Sequence, residues 1–209
     1  MRGALCLLIA ILFSTAARAA DLQVLVKTAK GQPVANAVIA VYPSAGTPSG
    51  PIRFDWPYRM AQQNLMFDPF VLVVPVGASV AFPNRDAVRH QVYSFSPTHP
   101  FELKLYGKDE SRSVRFDKTG VVALGCNIHD SMVAFIKVVD TPYAAKTDAT
   151  GLAVVHGMAG GAATLRVWHP YLKAPNNEVV RQVVLPREGD ARETIAVDVR
   201  APPSRSTSY

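Results

Sequence analysis

Apolar and polar positions alternate with a period of two along most of this chain, and that period predicts strands rather than helices. LQVLVKT (22–28) and VIAVYP (38–43) are short β-rich runs, and Ala29-Lys30-Gly31-Gln32-Pro33 between them supplies the Gly and Pro of a turn. The stretch SAGTPSGPIRFDWPYR (44–59) holds three prolines and reads as a connecting loop. Strands are then predicted at 70–77, 79–83, 90–95, 101–106, 113–116, 121–126 and 132–139, and, after Asp140-Thr141-Pro142, at 152–156, 163–168, 179–185 and 194–199. No segment sustains a helical period, so the fold class is all-β, with strand spacing typical of a Greek-key β-sandwich or barrel.

The first 19 residues, MRGALCLLIAILFSTAARA, have the layout of a secretory signal peptide: an early arginine, an apolar run from Ala4 to Phe13, and small residues at the end. The run is too short for a bilayer span, and no later stretch approaches the roughly 20 apolar residues that a membrane helix needs. The expectation is therefore a periplasmic or secreted protein without a membrane span in its mature form. Loss of Arg2 and Arg18 lowers the formal charge from +6 to +4. Lys and Arg are scattered rather than massed, which disfavours nucleic-acid binding. The polar end, 201–209, has little to bury and is expected to be disordered.

Export changes the meaning of the cysteines. The chain has two, and Cys6 falls in the signal peptide, so Cys126 has no intrachain disulfide partner in a compartment that favours disulfides. Such a thiol is buried and inert, paired to another chain, or held by a metal. It lies in GCNIHDSM (125–132), with His129 and Met132 close behind. A thiolate and an imidazole this close can face one centre across a tight loop, and a thioether can approach it weakly from the axial direction. Two His, one Cys and a long axial Met form the blue-copper electron-transfer arrangement. Of the five histidines, His90 is the best second ligand, since it opens the strand HQVYSF behind the polar loop after AFP. For His99, His156 and His169 ordinary structural roles are expected, as is packing for Met60 and Met66.

The run Val80-Ala81-Phe82-Pro83-Asn84-Arg85-Asp86 leading to His90, followed by Cys126, His129 and Met132, resembles the cupredoxins, the small blue-copper proteins that include plastocyanin, pseudoazurin and amicyanin. The resemblance covers roughly 68–140. It implies one copper ion of type 1, held by His90, Cys126, His129 and Met132. It also implies that Asn84 pins the two ligand loops together and that the backbone N–H of Gln91 approaches the Cys126 sulfur. The short gap between His129 and Met132 is similar to the amicyanin loop, and the whole chain is similar to cupredoxin-type proteins named for methylamine utilisation. Unlike many cupredoxin loops, this one has Asn127-Ile128 and no proline between Cys and His.

The flanking strands resemble the halves of a carboxypeptidase-regulatory-like Ig sandwich. Two arrangements fit. In one, 21–50 and 141–200 form a single Ig-like unit split by the cupredoxin block at 68–140. In the other, 21–140 is the cupredoxin and 141–200 a separate β-unit. Functionally, the expectation is an electron carrier rather than an enzyme, exchanging single electrons with transient redox partners such as c-type cytochromes or a periplasmic dehydrogenase. A copper-binding or copper-delivery role is the alternative.

Overall fold

The computed structural model describes residues 20–202. The segment read as a signal peptide, 1–19, and all of the polar end after Pro202 lie outside the described residues. The strands in chain order are β1 (Ala20–Thr28), β2 (Val38–Pro43), β3 (Ala61–Gln63), β4 (Met66–Asp68), β5 (Val71–Pro75), β6 (Ala78–Pro83), β7 (His90–Ser94), β8 (Phe101–Tyr106), β9 (Ser111–Phe116) and β10 (Gly120–Cys126). After these come β11 (Val133–Val139), β12 (Ala144–Lys146), β13 (Leu152–Met158), β14 (Gly161–Trp168), β15 (Glu178–Leu185) and β16 (Ala191–Val197). A single 3₁₀ turn at Pro175–Asn177 is the only helical element among the described residues.

The strands sort into two sandwiches. A three-stranded sheet ordered β13-β1-β16 faces a four-stranded sheet ordered β12-β2-β14-β15, so the first two strands pair only with strands from beyond residue 143. β1 runs antiparallel to β13 and parallel to β16. Its alternating buried and half-buried positions place Leu22, Val24 and Val26 in a core with Ile39, Val41 and Leu165. The strands between them in sequence form a five-stranded sheet, β5-β11-β10-β7-β8, against the pair β6-β9. Val80, Phe82, Val92, Phe116, Leu124 and Ile136 meet between these two sheets.

β5 joins the two bodies. Its sequence, VLVVP, is buried at every position because both faces are covered. Leu72 and Val74 point into the second core, whereas Val71 and Val73 meet Val38, Ala40 and Trp168 of the first sandwich. Polar ties cross the same seam: Tyr42 donates to Asp140 at 2.8 Å, and Lys146 Nζ donates to the Val71 carbonyl at 2.7 Å.

The all-β expectation holds, with three local differences. The β3–β4 hairpin and β12 are absent from the sequence reading, because three-residue strands are too short to show a period. Met132 lies just outside β11 rather than opening it, since its N–H turns back to the His129 carbonyl at 2.9 Å. β16 begins at Ala191, three positions early, where parallel pairing of Ala191 with Leu22 extends it through a polar stretch.

Two outcomes follow from this pairing. A chain ended after residue 140 lacks every strand that pairs with β1 and β2. Hydrogen exchange should then show those amides unprotected while β10 and β11 keep their protection; full protection of β1 would contradict the topology. Separately, Leu165→Ala, at a position with no solvent exposure, should cost about 2–5 kcal/mol in urea unfolding.

Candidate metal centre

Two neighbouring strands and one turn assemble the site. His90 opens β7 and Cys126 closes β10, and these strands are antiparallel with Cys126 opposite Val92. At Gly125 a Cβ would stand 2.6 Å from Cζ of Tyr93, whose ring lies against the strand beside Cys126 and would have to shift to admit it. The chain then turns through His129 and Met132 into β11. Nδ1 of His90 lies 3.7 Å from Cys126 Sγ, and Nδ1 of His129 lies 3.8 Å from it. All three donor atoms lie within 4.8 Å of one another. A sulfur about 2.3 Å and a nitrogen about 2.0 Å from one metal, set 120° apart, would be separated by about 3.7 Å, so each imidazole nitrogen stands at the distance from the sulfur that a shared metal would require.

Cys126 and Met132 are buried and share both the second core and a cleft of about 360 Å³ with Tyr93 and Asp130. His90 is fully buried and His129 is half-buried. One thiolate, two imidazoles and a thioether are a soft, borderline-nitrogen set that suits copper. Zinc, which takes four strong ligands in structural sites, is poorly matched by a thioether.

Asp86 fixes the buried imidazole. Its Oδ2 lies 2.8 Å from His90 Nε2, which makes Nε2 the donor and leaves the Nδ1 lone pair facing Cys126. The backbone N–H groups of Asn64 and Leu65 donate to the same carboxylate at 2.6 and 3.1 Å. These two residues form the tip of the β3–β4 hairpin, both with positive φ. Burial pushes the Asp86 carboxyl upward, but the bonds from His90, Leu65 and Asn64 outweigh it and hold it below the ordinary carboxylate value. Burial and then the neighbouring His90 hold His129 below the usual histidine value, against the pull of Asp86, so its ring is neutral and able to ligate at pH 7. Asp86 is the functional residue missed from the sequence. Its position four residues before His90 is visible there, but the hairpin that anchors it is not.

The two supporting residues act differently from the family expectation. Asn84 is buried and donates to the carbonyls of Val88 at 2.8 Å and Tyr106 at 3.2 Å, while its own carbonyl accepts from Asp86 N–H at 2.9 Å. These bonds shape the loop before His90, on one side of the site only. The tie between the two ligand segments runs from Asn127 Nδ2 to Gln91 Oε1 at 3.3 Å, and Gln91 in turn donates to Glu102. The hydrogen-bond contacts of Cys126 Sγ among the described residues are the two imidazoles, not the Gln91 backbone, which falls where the β7–β8 pairing shifts register. The other histidines stand apart from the cluster. His99 packs on Phe116 with ring centroids 4.6 Å apart, His156 pairs with Asp21 at 2.7 Å, and His169 Nδ1 accepts from Tyr171 N–H at 3.2 Å. Met60 is fully buried in the second core, and Met66 lies at the surface of β4.

No protein-family model and no curated protein matches the chain. Among solved structures, part of it is similar to a purple cupredoxin from Nitrosopumilus maritimus, at 20% identity over 39% of this chain and 98% of that one, TM-score 0.36. A reduced amicyanin variant is similar at 20% identity over 50% of this chain and 99% of that one, TM-score 0.38. A Cu-containing nitrite reductase from Thermus scotoductus is similar at 25% identity over 56% of this chain, TM-score 0.39, and the match spans only 28% of the reductase. At these scores the chemistry of the site follows from its own donor set rather than from the likeness.

Asp86→Asn tests the anchoring carboxylate. Metal affinity, measured by chelator competition, should fall about 10–100-fold. In the metal-free protein the depressed carboxyl stabilises the fold fully above its unfolded pKa of about 3.9, and that contribution is lost as pH falls through the folded value. The stability gap between wild type and Asp86→Asn in urea should therefore shrink below about pH 4; a gap that widens there would show the opposite sign.

Proposed function

We propose that the protein is an exported, mononuclear blue-copper electron carrier that shuttles single electrons between periplasmic redox partners. The observation that carries this reading is the convergence of His90 Nδ1, Cys126 Sγ and His129 Nδ1 on one point, at 3.7 and 3.8 Å from the sulfur. Copper, when bound, supplies the one-electron couple. The residues of the chain would hold it: Cys126 would provide the thiolate and the main electronic path, His90 and His129 two imidazole nitrogens, and Met132 a weaker thioether. Coordination itself deprotonates the Cys126 thiol. Four protein donors leave no open position for a substrate, which favours a carrier over an enzyme.

His129 is the one histidine ligand that reaches the surface, and Ile128 beside it is 48% exposed. Partners such as c-type cytochromes or a periplasmic dehydrogenase would dock there through a small, transient interface of less than about 1,200 Å². A copper-delivery role fits less well, because ligand exchange needs accessible donors and His90, Cys126 and Met132 are all nearly inaccessible to solvent.

The Cu(II)-loaded protein should show an intense blue thiolate-to-copper absorption and reversible one-electron exchange at an electrode, and Cys126→Ala should remove the absorption. A colourless protein with an ordinary Cu(II) spectrum would overturn the reading. Rapid transfer of copper to an apo-acceptor without reversible electron exchange would move the assignment to delivery.

A further inference from the structure

A second cleft lies away from the metal centre, in the seam between the two sandwiches. It encloses about 500 Å³ and is lined by Trp56, Arg59, Val73, Lys146, Leu152 and Val154, among others. Both its size and its place between two folded bodies are those of small-molecule sites. Its walls are mostly apolar, and the two groups that give it chemical character are held in place. Trp56 donates from Nε1 to the Val73 carbonyl at 2.8 Å, and its ring is stacked on Phe54 at 4.5 Å with the planes 8° apart. Lys146 spends one of its three donors on the Val71 carbonyl at 2.7 Å.

Among the described residues no carboxylate lies within ion-pair distance of Lys146. Asp68 stands exposed at the lip of the cleft and acts only at longer range. Burial pushes the Lys146 amine below the usual lysine value, with Asp68 drawing it partly back. A half-buried cation in an apolar wall is destabilising unless something anionic completes it. Arg59 at the exposed rim adds a second positive charge on the way in.

We propose that this cleft binds a small aromatic monocarboxylate, with its ring continuing the Phe54–Trp56 stack and its carboxylate on Lys146. The aromatic preference comes from the Trp56 ring, which favours offset stacking over simple apolar contact. The preference for one negative charge comes from Lys146. Neither depends on the metal, so this assignment and the copper reading stand or fall separately.

Calorimetric titration of the purified protein with 2-naphthoate, 2-naphthamide and decanoate decides it. Saturable binding of one 2-naphthoate is expected, about 30-fold or more tighter than the neutral amide, as for a partly buried charge pair losing one partner. Lys146→Gln, which keeps a donor for the Val71 carbonyl, should erase that preference. No saturable binding at millimolar naphthoate, equal affinity for acid and amide, or a preference that survives Lys146→Gln would overturn the site. Tighter binding of decanoate than of naphthoate would overturn the aromatic class. Should Lys146→Gln fail to fold, the comparison of acid with amide on the wild-type protein decides alone.

Discussion

The double burial of β5 is the constraint on which the rest of the molecule depends. A strand with no solvent face must satisfy two cores at once: Leu72 and Val74 fill the core beneath the metal centre, and Val71 and Val73 fill the seam. β5 pairs in parallel with β11, from Val71 opposite Phe135 to Pro75 opposite Val139. β11 in turn leads directly from the ligand turn, so the position of Met132 is referred through β11 and β5 to the first sandwich. The outward edge of β5 is closed by side chains rather than by another strand, with Lys146 on the Val71 carbonyl and Trp56 on that of Val73. This protects an edge that would otherwise template further pairing.

Burying three of the four candidate ligands carries an electrostatic cost that the surroundings offset. An imidazole shut away from water needs its second nitrogen satisfied, and Asp86 does this for His90 while its own charge is held by two backbone N–H groups of the hairpin tip. The hairpin is itself held by buried polar bonds. The single O–H of Tyr106 is shared between Gln62 Oε1 at 2.5 Å and the Phe82 carbonyl at 2.9 Å, and Gln62 donates onward to the Met60 carbonyl at 3.1 Å. Burial keeps the Tyr106 phenol protonated far above its ordinary range, so it remains a donor at any physiological pH. A chain of satisfied groups thus runs from the core of β8 to Nε2 of His90, the nitrogen turned away from Cys126, with no buried side-chain polar atom left unpaired among the described residues.

What could be read from sequence was whatever repeats or whatever has few alternatives. The period of two marks each long strand, and a cysteine read as unpaired next to His129 and Met132 admits few chemistries, so the three residues that the fold brings together, His90, Cys126 and His129, could be singled out. The hairpin was not, because Gln62 and Gln63 give β3 a polar texture although Gln62 is fully buried. Polar residues buried by hydrogen bonds leave no hydrophobic signal, and Asp86, which depends on that hairpin, stayed hidden with it. The roles of Asn84 and Gln91 came from family likeness alone. The side-chain bond between Gln91 and Asn127 joins the two ligand segments, whereas the Asn84 side chain is spent on its own loop and on the Tyr106 carbonyl of β8.

Sheet pairing fixes both ends of the turn that runs from Cys126 to Met132. Cys126 ends a strand flanked on both sides by β7 and β11, and Met132 precedes a strand flanked on both sides by β10 and β5. The turn between them is closed by the bond from Met132 N–H to the His129 carbonyl. With both ends fixed by sheet pairing, the spacing of Cys126 Sγ from the two imidazole nitrogens is set by the fold itself. The same fixing leaves Asn127, Ile128, His129, Asp130 and Ser131 as the part of the site that solvent reaches. On the proposed electron-carrier reading, discrimination between partners would reside in a short surface that carries one apolar side chain, one acid and the edge of one imidazole. So small a surface favours rapid, weak encounters over stable complexes.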